Sequence, residues 1–235
     1  TFNDTEINSG DITPDGVTVD PRIDHSVGMD GHPYKYRNQN NYIFDSSWVR
    51  DPGVYGYFQS MKEQQAADCP CYKKEGPFMG TSVNIDIIRY ADVLLWQAEA
   101  YIELGQPEMA RPLINQVRAR AAESTERTKL ADGTPPSNYK VEEYTNENIN
   151  WNQETAREAL RWERRMEFAL EGARFFDLVR WGIAAETLNG YLEKEKDRRS
   201  FLQDAHFESG RDEYYPIPQR EIDFTKGLYV QNPGY

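Results

Sequence analysis

Between Tyr34 and Phe78 the chain sets ten aromatic residues among Gly, Pro, Asn, Gln and Asp, without the helical or strand period that would turn them all inward. Aromatic rings on polar loops suit carbohydrate binding. The apolar face of a sugar ring packs on a ring face, while nearby amide, carboxylate and guanidinium groups hydrogen-bond its hydroxyls. Trp48, Tyr55 and Tyr57 are the best placed for stacking, with Asn40, Asn41, Asp45 and Arg50 as polar companions. The competing reading uses most of these rings to pin long loops to the core and leaves a few for ligand.

A second concentration of reactive side chains runs from Glu158 to Gly182, EALRWERRMEFALEGARFFDLVRWG. Helical spacing places Ala156, Leu160, Glu163, Glu167 and Leu170 on one stripe, so two carboxylates stand where an amphipathic helix carries aliphatic groups. Arg161, Arg164 and Arg165 lie within a turn of them, and Arg174, Asp177 and Arg180 follow a helix stop or bend expected at Gly172. Carboxylates that alternate with arginines stay ionised, which suits a buried ionic lock better than a proton donor. Such a lock adds little net stability, yet losing one member strands a charge and costs about 3 to 5 kcal/mol.

The remaining chemistry is sparse. Cys69 and Cys71, in DCPC, are separated by one proline; a bridge between them closes a very small ring, and a free or metal-bound pair is the alternative. His25, His32 and His206 show no ligand spacing that would complete a zinc site. Asp11, Asp15, Asp20, Asp24 and Asp30 lack the spacing of a calcium loop and read as solvated loop acids. No phosphate-binding glycine loop, GxSxG elbow, HExxH or dinucleotide fingerprint occurs. A glycoside hydrolase needs only two carboxylates roughly 5 to 9.5 Å apart, and so acidic a chain keeps that rival open.

With 235 residues, a formal charge of −12 and a pI near 4.8, the chain can bury a substantial core and is unsuited to nucleic acid or an anionic membrane surface. It contains no apolar run approaching the roughly 18 residues of a membrane span. Residues 1–47 are polar, rich in Gly, Asp and Asn, and read as extended loops. The spacing predicts a helix over 84–104, with Ile88, Ala91, Leu94 or Leu95, Ala98 and Ile102 inward and Gly105 ending it. Pro107 opens a second helix over 108–122, with Met109, Leu113 or Ile114, Val117 and Ala121 inward. The pair has the length of one tetratricopeptide unit, which cannot bury its face alone. It must pack on further helical repeats or on the Glu158 helix. Residues 123–152 are an excursion, 193–199 a solvated charge run, and Tyr214–Tyr235 an extended tail expected to wrap back over the helices.

Four segments in order resemble one family: DPRIDHSVGMDG from Asp20, IIRYADVLLWQAEAYIELG from Ile87, ERRMEFALEGARFFDLVRWG from Glu163, and YYPIPQREIDFTKGLYVQNPGY from Tyr214. They resemble the carboxy-terminal portion of the SusD/RagB family, surface glycan-binding lipoproteins of Bacteroidetes. The chain departs from the family pattern at Phe224, Thr225 and Lys226, where members often carry Asn-Pro. The resemblance implies a mainly α-helical fold, a tetratricopeptide-type hairpin plus further helices with long irregular loops, with a lipidated amino-terminal part and further repeats upstream. It also implies non-catalytic oligosaccharide binding at the outer face of the outer membrane, without a cofactor, and delivery to a SusC-like TonB-dependent transporter. A scaffold that contacts only the transporter, a binder of a non-glycan nutrient such as peptide, and a hydrolase are the alternatives.

Overall fold

The computed structural model describes residues 17–35, 43–65, 69–197 and 199–235. The chain divides into two compact units, Thr1–Glu171 and Gly172–Tyr235.

The first unit is built on three helices. α3 (Tyr90–Glu103) and α4 (Pro107–Glu123) form a hairpin, and α5 (Gln153–Glu167) packs against both. Leu94, Leu95, Ala98 and Ile102 are the buried stripe of α3; Ala110, Ile114, Val117 and Ala121 are that of α4. Gly105, at φ +75°, makes the tight turn between them, and Pro107 starts α4, where its missing N–H costs nothing. Asn152 caps α5 by accepting from Glu154 N at 3.0 Å and Thr155 N at 3.2 Å, while its own N–H donates to Thr155 Oγ1 at 3.0 Å. The start of α5 is fastened to the hairpin turn: Trp151 Nε1 donates to Pro107 O at 2.8 Å and Gln153 Nε2 to Ile102 O at 2.7 Å. The hairpin therefore buries its inner face on the Glu158 helix.

Four sequence expectations fail at or near helix ends. The first long helix starts at Tyr90 rather than Asn84, because Arg89 is extended and its N–H is taken by Asp92 Oδ2 at 3.1 Å. Ile88, expected inward, is 60% exposed in the irregular stretch before it. Met109, in the first turn of α4, is exposed, and Leu113 yields the inward position to Ile114. α5 ends at Glu167, so Leu170 leaves the stripe, adopts φ +64° and points out. Gly172, at φ +85°, supplies the expected bend.

Short elements line the loops of this unit. α1 (Ile23–Ser26) leads into β1 (Val27–Gly28), which pairs antiparallel with β2 (Gln59–Ser60), and α2 (Pro52–Tyr55) precedes β2. Gly28 lies close under Phe44: an added Cβ would stand 3.0 Å from the ring, which would have to give way by a few tenths of an ångström. β3 (Tyr72–Glu75) and β4 (Phe78–Thr81) form a hairpin whose base carries a Cys69–Cys71 disulfide. The pair is thus neither free nor metal-bound: the intervening proline leaves the Cα atoms 5.1 Å apart, within bridging range. The 123–152 excursion is mostly irregular and returns to the amino-terminal segment, with Val19 N donating to Asn138 O and Lys140 N to Val19 O, both at 2.9 Å.

In the second unit α6 (Arg174–Arg180) and α7 (Ala184–Glu195) pack around a core of Leu178, Ala184 and Phe207, and α8 (Gln219–Phe224) follows nearer the tail. Asn189 holds Phe207 by both backbone groups, at 2.8 and 3.0 Å. The tail closes on itself: Gln231 bonds both backbone groups of Ile217, and Tyr235 Oη donates to Tyr214 O at 2.9 Å.

Candidate functional site

Glu163 and Glu167, expected to carry a charge lock, are buried on the inner face of α5 at 0% and 3% exposure. Their partners, however, are not the arginines of their own helix. Side chains one or two positions away on a helix face elsewhere, so the inward carboxylates reach other elements. Glu163 accepts from Arg22 Nη1 at 2.5 Å and Arg118 Nη1 at 3.0 Å. Glu167 accepts from Arg89 Nη1 at 2.8 Å, Arg120 Nη2 at 2.6 Å and Arg22 Nη1 at 3.2 Å. Arg22 is itself gripped by Asp20, Nη2 to Oδ2 at 2.7 Å. Arg164 instead stacks on Phe168, which Arg89 also covers, and Arg180 pairs with Asp177 within the second unit. Both glutamates are saturated by cations, which leaves no proton donor for acid–base catalysis at this pair.

Two of the loop acids are likewise structural rather than solvated. Burial drives the Asp20 carboxyl up, but hydrogen bonds and charge from Arg22 outweigh it and hold it below the usual carboxylate range. Asp24 is buried; its Oδ1 lies 2.5 Å from His32 Nδ1, and its Oδ2 accepts from Ser137 at 2.9 Å and Tyr139 at 2.8 Å. A serine, a histidine and an aspartate thus meet, but the serine bonds the aspartate and not the histidine, so no nucleophile is activated. Burial and then the Asp24 charge raise the Tyr139 hydroxyl far above its ordinary value. Asp30 Oδ1 accepts Ser46 N at 2.7 Å, and Asp11 and Asp15 lie outside the described residues. Among the described residues no cluster of His, Cys, Asp and Glu could hold a metal ion.

The aromatic loop divides its rings between core and surface. Tyr34, Phe44 and Met61 form a small buried cluster. Trp48, at the end of a 3-10 turn Ser46–Trp48, meets Tyr34 and Phe44 edge to face at 5.7 and 5.3 Å and remains 45% exposed. Tyr55, the last residue of α2, is 66% exposed, and Tyr57 follows it half-exposed. Asp45 caps the 3-10 turn by accepting Ser47 N at 2.8 Å, and bonds from Ser47 keep its carboxylate below the usual range. Arg50 is exposed two residues beyond Trp48. Asn41, with Asn40, lies outside the described residues.

Beside this loop opens a cleft of about 630 Å³, the size of a small-ligand site. Its floor is the Arg22–Arg89–Arg120 side of Glu167, and Lys35, Met61, Lys62 and Glu63 form one wall. Met61 belongs both to this wall and to the Tyr34–Phe44 cluster that supports Trp48. Of the residues singled out from sequence, the described ones, Trp48, Tyr55, Tyr57, Asp45 and Arg50, do not line the cleft. Sequence reasoning missed Arg22, Arg89, Arg118 and Arg120, because their partners lie 45 to 145 positions away. The one available signal was the arginine in each of two motif segments, DPRIDH and IIRYAD.

A family model described as the SusD family matches residues 2–235. SusD-like protein P38 of Formosa agariphila is 34% identical over 151 residues, covering 62% of this chain and 27% of that protein. SusD-like protein P25 of the same organism is 33% identical over 162 residues, covering 68% of this chain and 26% of that protein. A crystal structure of a SusD superfamily protein from Bacteroides vulgatus superposes with a TM-score of 0.62 at 27% identity, covering 95% of this chain and 41% of that one. The chain thus spans about a quarter of the length of the curated relatives it matches.

Proposed function

The chain belongs to the SusD family, and from that premise we propose that it binds oligosaccharide without cleaving it, as part of a surface nutrient-uptake system. The observation that carries the reading is the Trp48–Tyr55–Tyr57 loop: two large rings exposed on a loop whose base is fixed by the Tyr34–Phe44 cluster. A ring held by edge-to-face neighbours stacks on a sugar face with little further loss of freedom. Arg50 and Asp45 are its polar companions, and Asn41 completes the proposed set.

Binding of this kind needs no cofactor, since stacking and hydroxyl hydrogen bonds supply both affinity and orientation. Saturation of Glu163 and Glu167 by arginines supports the non-catalytic reading. Captured glycan passes to a SusC-like TonB-dependent transporter at the outer face of the outer membrane, where a lipid anchor holds the longer protein. Among the described residues no helix is long and apolar enough to cross a membrane. The outer face of α3, where Tyr90, Val93 and Trp96 are exposed, is the surface on which further helical repeats would pack.

The test is a titration of the chain with a glycan panel, with analysis of each mixture for products. Saturable binding without products is the expected result. Cleavage products would replace the reading with hydrolysis, and no binding to any glycan would move the role to a scaffold or a non-glycan ligand.

A further inference from the structure

The cleft beside the aromatic loop is cationic in a strongly acidic protein. Arg22, Lys35, Lys62, Arg89, Arg120 and Arg127 face it, against Glu63, Glu123, Glu126 and Glu167. The partners of these groups decide which charges remain for a ligand. Arg22 and Arg89 are held on Glu163, Glu167 and Glu171, and Lys62 donates to Glu171 at 2.5 Å. Glu126 is turned to Lys129 at 2.7 Å. Arg120 spends one amino group on Glu167 and is still 58% exposed along its side chain. Lys35 donates to the backbone carbonyl of Met61, and Arg127 stands exposed on the rim at the end of the 3-10 turn after α4.

We propose that this cleft receives an acidic sugar of the captured glycan, with Lys35, Arg120 and Arg127 facing its oxyanion and Glu63 and Glu123 accepting from its hydroxyls. The inference rests on the glycan-capture reading and adds the class of glycan. A carboxylate of a uronic acid and a sulfate ester present the same chemistry, an oxyanion on a sugar ring that charge-assisted donors recognise.

The backbone of the cleft wall is itself held in uncommon conformations at two points. The four non-glycine residues with left-handed backbone among the described residues include Lys35 at φ +56° and Glu63 at φ +57°, both on its wall. Such conformations collect where a side chain must be aimed rather than where the chain is relaxed.

The experiment titrates the chain with three probes of similar length: an oligogalacturonate, a sulfated galactan oligosaccharide and a neutral galacto-oligosaccharide. At least one acidic probe is expected to bind about tenfold or more tightly than the neutral one, since each charge-assisted bond is worth at least that much. Affinity for it should fall as salt is raised from low ionic strength. Arg127→Ala, at an exposed position outside the buried network, should remove most of that preference, with Arg127→Lys restoring part of it. If a neutral glycan binds as tightly as the acidic ones, or Arg127→Ala leaves the preference intact, the inference is overturned while the capture reading stands. If no glycan binds at all, the capture reading fails and this inference with it. Preference for the carboxylate over the sulfate probe, or the reverse, identifies which oxyanion the cleft takes.

Discussion

The Glu163–Glu167 network and the Trp48 loop use the same kinds of interaction to opposite ends. In the network every carboxylate oxygen meets a cation from a different element: Arg22 from the amino-terminal segment, Arg89 from the start of α3, Arg118 and Arg120 from α4. The loop keeps its bonding capacity turned outward, with Trp48 held at two edges and Tyr55 held at neither by another described ring. Desolvation explains the difference. A buried charge must be satisfied internally, so the network fixes the scaffold and, apart from the exposed side of Arg120, leaves nothing for a ligand. A half-exposed ring loses little by waiting for one.

The sharpest way to break this contrast is to remove a network member. Glu163→Ala removes the buried carboxylate that Arg22 and Arg118 share, leaving Arg118 without its acidic partner and Arg22 with only Glu167 and Asp20, and should cost about 3 to 5 kcal/mol in denaturant unfolding. A cost below about 1 kcal/mol would mean that water enters and the network is not a lock. Asp24→Asn should cost less, about 1 to 3 kcal/mol, because the amide retains part of the bonding to Ser137, Tyr139 and His32. Tyr139 adds a pH signature. Its hydroxyl is raised in the folded chain, so the stability it contributes is complete below the unfolded value near 10 and is lost as pH rises above it. Unfolding measured from pH 8 to 11 should show a loss that Tyr139→Phe flattens.

Asp20 gives the opposite limb. Its carboxyl is lowered on folding, so its contribution is full above the unfolded value of about 3.9 and disappears as pH falls through the folded one. Asp20→Asn should therefore lower stability at pH 6 and narrow the gap to the parent below pH 4. The smallest effect belongs to the exposed pair Arg157–Glu103, joined at 2.7 Å. Arg157→Ala should change stability by less than about 1 kcal/mol. A larger value would place surface pairs and the buried network on the same footing.

How much of this was legible in the sequence follows from the range of the interactions. The inward stripe of α5, including its two glutamates, and the Gly105 and Pro107 turn were legible because they depend on neighbours within four residues. The partners of those glutamates were not, because the sequence pattern of a helix carries no information about a residue 141 positions away. The start of α3 was misplaced for a local reason: Asp92 captures the Arg89 N–H and cuts the helix off from an apolar run that looked continuous. In the candidate site the aromatic density was visible, while the division into supporting rings, Tyr34 and Phe44, and exposed ones, Trp48 and Tyr55, required the fold. The cleft was invisible, since its lining comes from six separated stretches.

The claim that the loop captures glycan is tested most directly by titrating the tightest ligand of the panel into the Trp48→Ala/Tyr55→Ala double variant, with unfolding of the same sample as the control. Loss of about tenfold or more in affinity with the fold retained is the predicted result. Unchanged affinity would contradict it and move the sugar contact away from this loop.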